Sequence, residues 1–200
     1  MIPSQGNTYG GLKRNYLHTP NKMTWDYQRM IRLTVGDMFD ASSEPLVELE
    51  KLKQQESAML IRLLGIRETT RVLDYGAGMG FMAMDIQKVT PSVWTHNIDP
   101  ECQRHCEHLG LPTWQGEQVD WVILKDVVEN FTPEEFDSML DSVDTGSVFF
   151  NYYAVGETED NTKKQFYPDQ IDKLAEKYGY KTRLHETRGS SRRVIWRPSS

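Results

Sequence analysis

The run Val72-Leu73-Asp74-Tyr75-Gly76-Ala77-Gly78-Met79-Gly80 constrains the fold of this chain more than any other segment. It reads as an apolar strand that stops at an acid and turns through three alternating glycines into a helix. Glycine lets the backbone turn tightly and approach a ligand closely, because no Cβ intervenes. A carboxylate just before the turn sets a hydrogen-bond acceptor beside that ligand. Strand, glycine turn and helix in that order predict an α/β fold with a nucleotide-like cofactor at the turn.

The spacing argues against a nicotinamide dinucleotide. That fingerprint is G-x-G-x-x-G. Counting from Gly76 and Gly78, its third glycine would fall on Phe81, whereas the glycine here is Gly80. The pattern D-x-G-x-G-x-G instead resembles motif I of the class I S-adenosylmethionine (SAM) dependent methyltransferases. The resemblance implies that Asp74, Tyr75, Gly76, Ala77 and Gly78 hold the methionine end of SAM. A second strand, within Ser92–Ile98, ends at Asp99. The resemblance gives Asp99 both ribose hydroxyls. An ionised carboxylate is acceptor-only and suits a pair of vicinal O–H donors.

The remaining pattern alternates strand and helix. Ser42-Ser43-Glu44-Pro45 is a helix start, followed by a leucine-rich stripe to Leu64 and a stop at Gly65. Helices are predicted over 79–89 and from 101 to near Gly110, with a short strand over 112–115. Val119–Leu124 is apolar enough for a central strand. Thr132-Pro133-Glu134-Glu135 is a capping box. Strand 146–152 and a helix stopping at Gly179 follow. Two last strands, 180–186 and 192–197, are joined too closely for anything but an antiparallel hairpin. The predicted fold is α/β: a Rossmann-like, doubly wound, mostly parallel sheet. The resemblance implies seven strands in the order 3-2-1-4-5-7-6. Residues 1–69 are expected to form an arm and helical layer, and residues 70–200 the SAM-binding core, of one domain.

Composition narrows the partners. No apolar run approaches the ~20 residues that span a bilayer. The first six residues lack the basic and apolar regions of a signal peptide. The two cysteines, Cys102 and Cys106, make no disulfide framework, so a soluble, cytoplasmic protein is expected. With His105 and His108 they suggest a metal cluster, but no distant Cys/His pair completes a tetrahedral site, and no metal is expected. The net charge of −6 weighs against broad nucleic-acid binding. A small-molecule substrate is the better match.

Chemistry is expected past strand 119–124, where a doubly wound sheet binds its ligands. Asp126 and Glu129 match the acid and glutamate found there in many small-molecule methyltransferases; Asn130 replaces a histidine. The resemblance makes Asp126 a cofactor contact as well. Glu129 also suits a solvated loop. Tyr153, His18 and His96 are further conceivable bases, and Glu117 or Gln115 candidate adenine contacts. The aromatic arm, with Tyr9, Tyr16, Trp25 and Tyr27, is expected to cover the cofactor. The reading is methyl transfer from SAM. Its alternatives are another SAM chemistry on the same fold, a non-catalytic partner subunit, or a macromolecular acceptor.

Overall fold

The computed structural model describes residues 45–155, 165–188 and 191–199. The arm over 1–24, the aromatic and apolar residues from Trp25 to Met38, and the cap Ser42-Ser43-Glu44 lie outside the described residues. So do His18, Tyr9 and Tyr16. The elements are α1 (Pro45–Leu64), β1 (Val72–Tyr75), α2 (Phe81–Gln87), β2 (Val93–His96), α3 (Pro100–His108) and β3 (Val119–Leu124). Then come a 3₁₀ turn (Val128–Asn130), α4 (Pro133–Ser142), β4 (Thr145–Ala154), β5 (Gln165–Phe166), α5 (Pro168–Lys177), β6 (Tyr180–Arg188) and β7 (Ser191–Pro198).

The seven-stranded sheet has the order β2-β1-β3-β4-β7-β6, with β5 beside β4. This is the predicted doubly wound order with one difference. The strand expected over 112–115 is reduced to a single parallel bridge, Thr95 to Thr113. The seventh strand is β5, two residues long and parallel to β4.

The chain divides into two compact units. One holds the residues up to Thr69 together with Ala77–Thr113. In it α1 packs on α2. α1 stops where predicted: the Gly65 N–H meets the Arg62 carbonyl at 3.3 Å and the Ile66 N–H the Ile61 carbonyl at 3.0 Å. That pair of bonds is a Schellman closure, which needs the left-handed φ of 70° that Gly65 adopts. Gly110 closes α3 in the same way, with bonds from the Gly110 and Leu111 N–H groups to Glu107 and Cys106.

The other unit holds Thr70–Gly76 and Trp114–Ser200. Here β1, β3 and β4 run parallel, with Leu73 opposite Val122 and Leu124 opposite Phe150. β7 then pairs antiparallel to both β4 and β6, which is the predicted hairpin. β3 is apolar because it is central: Trp121, Val122, Ile123 and Leu124 are all buried. Phe136 of α4 anchors the helix on the sheet. Its ring meets Phe150 at 5.3 Å and Phe166 at 6.0 Å, and Phe150 meets Trp196 at 4.7 Å. Each such fully buried aromatic contributes about 1.5–3 kcal/mol of transfer free energy. The Thr132 capping box forms in both directions, Glu135 N–H to Thr132 Oγ1 at 3.2 Å and Thr132 N–H to Glu135 Oε2 at 2.7 Å. None of the described helices is long and apolar enough to cross a membrane.

Candidate functional site

In the unit that contains β1 and β3, the interest lies at the carboxyl ends of these two parallel strands. Asp74, at the end of β1, is only 2% exposed. Gly76 follows with φ 78°. A Cβ built there would lie 2.4 Å from Val127 Cγ2, so the glycine backbone packs directly on the loop after β3. The unit thus brings Asp74, Tyr75 and Gly76 to the segment carrying Asp126 and Glu129. The Tyr75 ring meets Phe131 edge-on at 6.3 Å, and burial raises the pKa of its hydroxyl, keeping it protonated.

Asp126 has φ 56°, the one positive φ of a non-glycine residue among the described residues. Left-handed backbone costs a residue with a Cβ about 1–2 kcal/mol. Asn151 of β4 holds it there from both sides. The Asp126 N–H donates to Asn151 Oδ1 at 2.7 Å, and Asn151 Nδ2 donates to Asp126 Oδ1 at 2.8 Å. Lys125 forms an ion pair with Asp126 Oδ2. Asn151 is 5% exposed, so its amide is committed to this clamp. Glu129 is not part of a solvated loop: it sits in the 3₁₀ turn and is 3% exposed. Glu117 turns inward on its own loop, accepting the Gln115 N–H at 2.7 Å while its carbonyl accepts from Trp114 Nε1 at 2.9 Å. Tyr153 sits on β4 opposite Gln165 of β5.

The other unit contains the rest of the glycine turn. Gly78 and Gly80 have φ 55° and 75°. A Cβ at Gly80 would meet Leu111 Cδ1 at 2.7 Å and Cys106 Sγ at 3.2 Å, so that glycine lets α2 pack tightly on α3 and its exit. Three of the turn's N–H groups, those of Ala77, Gly78 and Gly80, are spent inside the protein. Ala77 donates to the His96 carbonyl at 3.4 Å, and Gly80 to the Ala77 carbonyl at 2.8 Å. Gly78 donates to Asn97 Oδ1 at 2.7 Å, and the Gly78 carbonyl accepts from Cys106 Sγ at 3.4 Å. His96 contributes its backbone oxygen, and burial lowers its imidazole pKa.

Asp99 is the N-cap of α3. Its Oδ1 accepts the Glu101 N–H at 2.7 Å and the Cys102 N–H at 3.2 Å. Pro100 at the first helical position completes the start. Cys102, His105 and Cys106 form the buried face of α3. Burial, with a smaller contribution from His108, holds the His105 imidazole down at about 4. Among the described residues no group of three or more His, Cys, Asp or Glu could hold a metal ion.

This arrangement discriminates between cofactors. A dinucleotide turn presents backbone N–H groups to a diphosphate. Here the N–H groups of Ala77, Gly78 and Gly80 already have acceptors, so a diphosphate finds none of these three. A cofactor without phosphate asks less of them, and the residues fit such a group. Three partners were not apparent in the sequence: Asn97, Cys106 and Asn151 are polar or sulfur side chains whose targets lie 19, 28 and 25 residues away.

No protein-family description matches the sequence, and no curated protein matches it. Solved structures do. The chain is similar to magnesium protoporphyrin IX methyltransferase (ChlM) from Synechocystis PCC 6803 with bound SAH, at 18% identity and a TM-score of 0.62. That match covers 95% of this chain and 100% of the other. It is similar to the pyocyanin biosynthetic protein PhzM at 13% identity and a TM-score of 0.59, covering 84% of this chain and 60% of that one. The methyltransferase domain of bacterial CtHen1 aligns at 14% identity and a TM-score of 0.57, over 74% of this chain and 100% of that domain. Topology, glycine turn and these likenesses agree: the chain has the class I SAM-dependent methyltransferase fold.

Proposed function

We propose that this chain is a SAM-dependent methyltransferase acting on a small molecule. The observation that carries the reading is a D-x-G-x-G-x-G turn whose N–H groups at Ala77, Gly78 and Gly80 are internally satisfied. That turn suits a cofactor without phosphate. Structures of the same fold with bound SAM and SAH support the choice. Asp74, Tyr75, Gly76, Ala77 and Gly78 would hold the methionine end, and Asp99 the ribose hydroxyls. Residues 70–200 then carry the cofactor.

When bound, SAM supplies an activated sulfonium methyl. The chain's own work is to orient and to exclude water. Asp126, fixed by Asn151, and Glu129, held out of water on its turn, are the two carboxylates that would take a proton from an acceptor group. The magnesium protoporphyrin IX methyltransferase on this fold and the acidic net charge support a small acceptor over a polyanion. Two cysteines, Cys102 and Cys106, that form no disulfide fit a cytoplasmic setting.

Product analysis tests the reading. Incubation with SAM and a panel of small acceptors should yield S-adenosylhomocysteine and a methylated product in equal amounts. SAM consumed without S-adenosylhomocysteine would assign a different chemistry. A folded protein that leaves SAM intact with every acceptor would favour a partner subunit.

A further inference from the structure

We infer that Asn97 is a specificity-determining residue for the cofactor: it closes the glycine turn to diphosphates while holding it in the shape that receives SAM. The inference rests on the SAM reading proposed above.

Gly78 is gripped at both ends of its peptide backbone. Its N–H goes to Asn97 Oδ1 at 2.7 Å and its carbonyl to Cys106 Sγ at 3.4 Å. The Asn97 amide is itself oriented. Its Nδ2 faces Gln103 Oε1 and Cys106 Sγ, each at 3.5 Å. Gln103 Nε2 in turn donates to Thr113 Oγ1 at 2.7 Å and to Thr95 Oγ1 at 3.3 Å, and Thr113 Oγ1 donates to Glu107 Oε1 at 2.5 Å. A chain of side chains therefore runs from the glycine turn to the parallel bridge between Thr95 and Thr113. Satisfied networks of this kind fix one geometry.

The consequence is chemical. A phosphate oxygen seeking the Gly78 N–H would meet the Asn97 oxygen already there, acceptor against acceptor. Displacing Asn97 would leave its carbonyl without its donor and remove the Nδ2 contact to Gln103 Oε1. SAM carries no phosphate and makes no such demand. Asn97 thus acts through Gly78 as a positioning residue.

Amide hydrogen exchange and calorimetry on the full chain test this. The Gly78 amide should exchange slowly in wild-type protein and stay slow when SAM is added. Asn97→Leu removes the acceptor while keeping four side-chain heavy atoms in the same branched arrangement. It should expose the Gly78 amide, lose about tenfold in SAM affinity, the worth of one hydrogen bond, and gain binding of inorganic pyrophosphate that the wild type lacks. Asn97→Asp keeps an acceptor oxygen and should restore Gly78 protection and SAM affinity together, while pyrophosphate exclusion is read on Asn97→Leu alone, because the added carboxylate repels that anion by itself. A freely exchanging Gly78 in the wild type overturns the inference, even if Asn97→Leu does not fold. So does a folded Asn97→Leu that binds SAM within about twofold of wild type or still excludes pyrophosphate. Wild-type protein that binds no SAM overturns the proposed function instead, and Gly78 protection and pyrophosphate exclusion are then read on their own.

Discussion

Asn97 accepts the Gly78 N–H at 2.7 Å across nineteen residues of chain. The first residue past β2 therefore sets the shape of the glycine turn that precedes α2. Cys106 adds a contact to the same residue's carbonyl, so the turn is held by the next strand and helix as well as by its own glycines.

Asp99 has a structural role that any test of its binding role must separate. Its Oδ1 caps α3 through Glu101 and Cys102. Asparagine caps nearly as well as aspartate, whereas alanine forfeits about 1 kcal/mol. Asp99→Asn should keep the wild-type melting temperature but lose at least tenfold in SAM affinity, because hydrogen bonds to a charged acceptor are worth about 1.5–3 kcal/mol. Asp99→Ala should lose both. Calorimetric titration beside thermal unfolding reads the two effects separately.

Gly76→Ala should be severe. The new residue would adopt φ 78° and set its Cβ 2.4 Å from Val127 Cγ2. Left-handed strain and overpacking together should cost about 2–4 kcal/mol in denaturant unfolding. Adding Val127→Ala should recover the overpacking part and leave the strain.

His105 makes stability depend on pH. Burial disfavours the charged form and holds its imidazole down at about 4 in the folded protein, against 6.5 for an unperturbed histidine. The unfolded chain therefore binds the extra proton as pH falls below 6.5. Stability should decline from there to about pH 4 and then level off, by an amount on the order of 3 kcal/mol. His105→Gln should remove that part of the pH dependence, read as the difference between the two unfolding curves across this window.

Asp126 and Asn151 separate chemistry from stability. Asp126→Gly relieves the backbone at φ 56° while deleting the carboxylate that Asn151 and Lys125 hold. These effects oppose each other, and stability should change by no more than about 1 kcal/mol. Formation of S-adenosylhomocysteine should nevertheless fall sharply. Asn151→Leu removes the acceptor of the Asp126 N–H and should cost about 1–3 kcal/mol. Unfolding and turnover measured on both variants check the pair.

Much of the fold was legible because its signals are local. The apolar run of β3, the Thr132–Glu135 capping box and the stops at Gly65, Gly110 and Gly179 each depend on a few neighbouring residues. The third-strand region misled because only Thr113 pairs there before the chain turns through Gly116. β5 was missed because two residues give no period. The clamps were illegible for another reason: Asn97 on Gly78 and Asn151 on Asp126 join residues 19 and 25 apart, and an isolated asparagine carries no pattern. The burial of Glu129 was hidden likewise, since a charged residue beside Asn130 reads as surface until the turn is seen.

The most direct test of the central claim is calorimetric titration of the full chain with SAM, with NADH as the control. The account predicts saturable SAM binding at one site, weakened in Asp99→Asn, and no binding of NADH. Binding of NADH, or a folded protein that takes up no SAM, would contradict it.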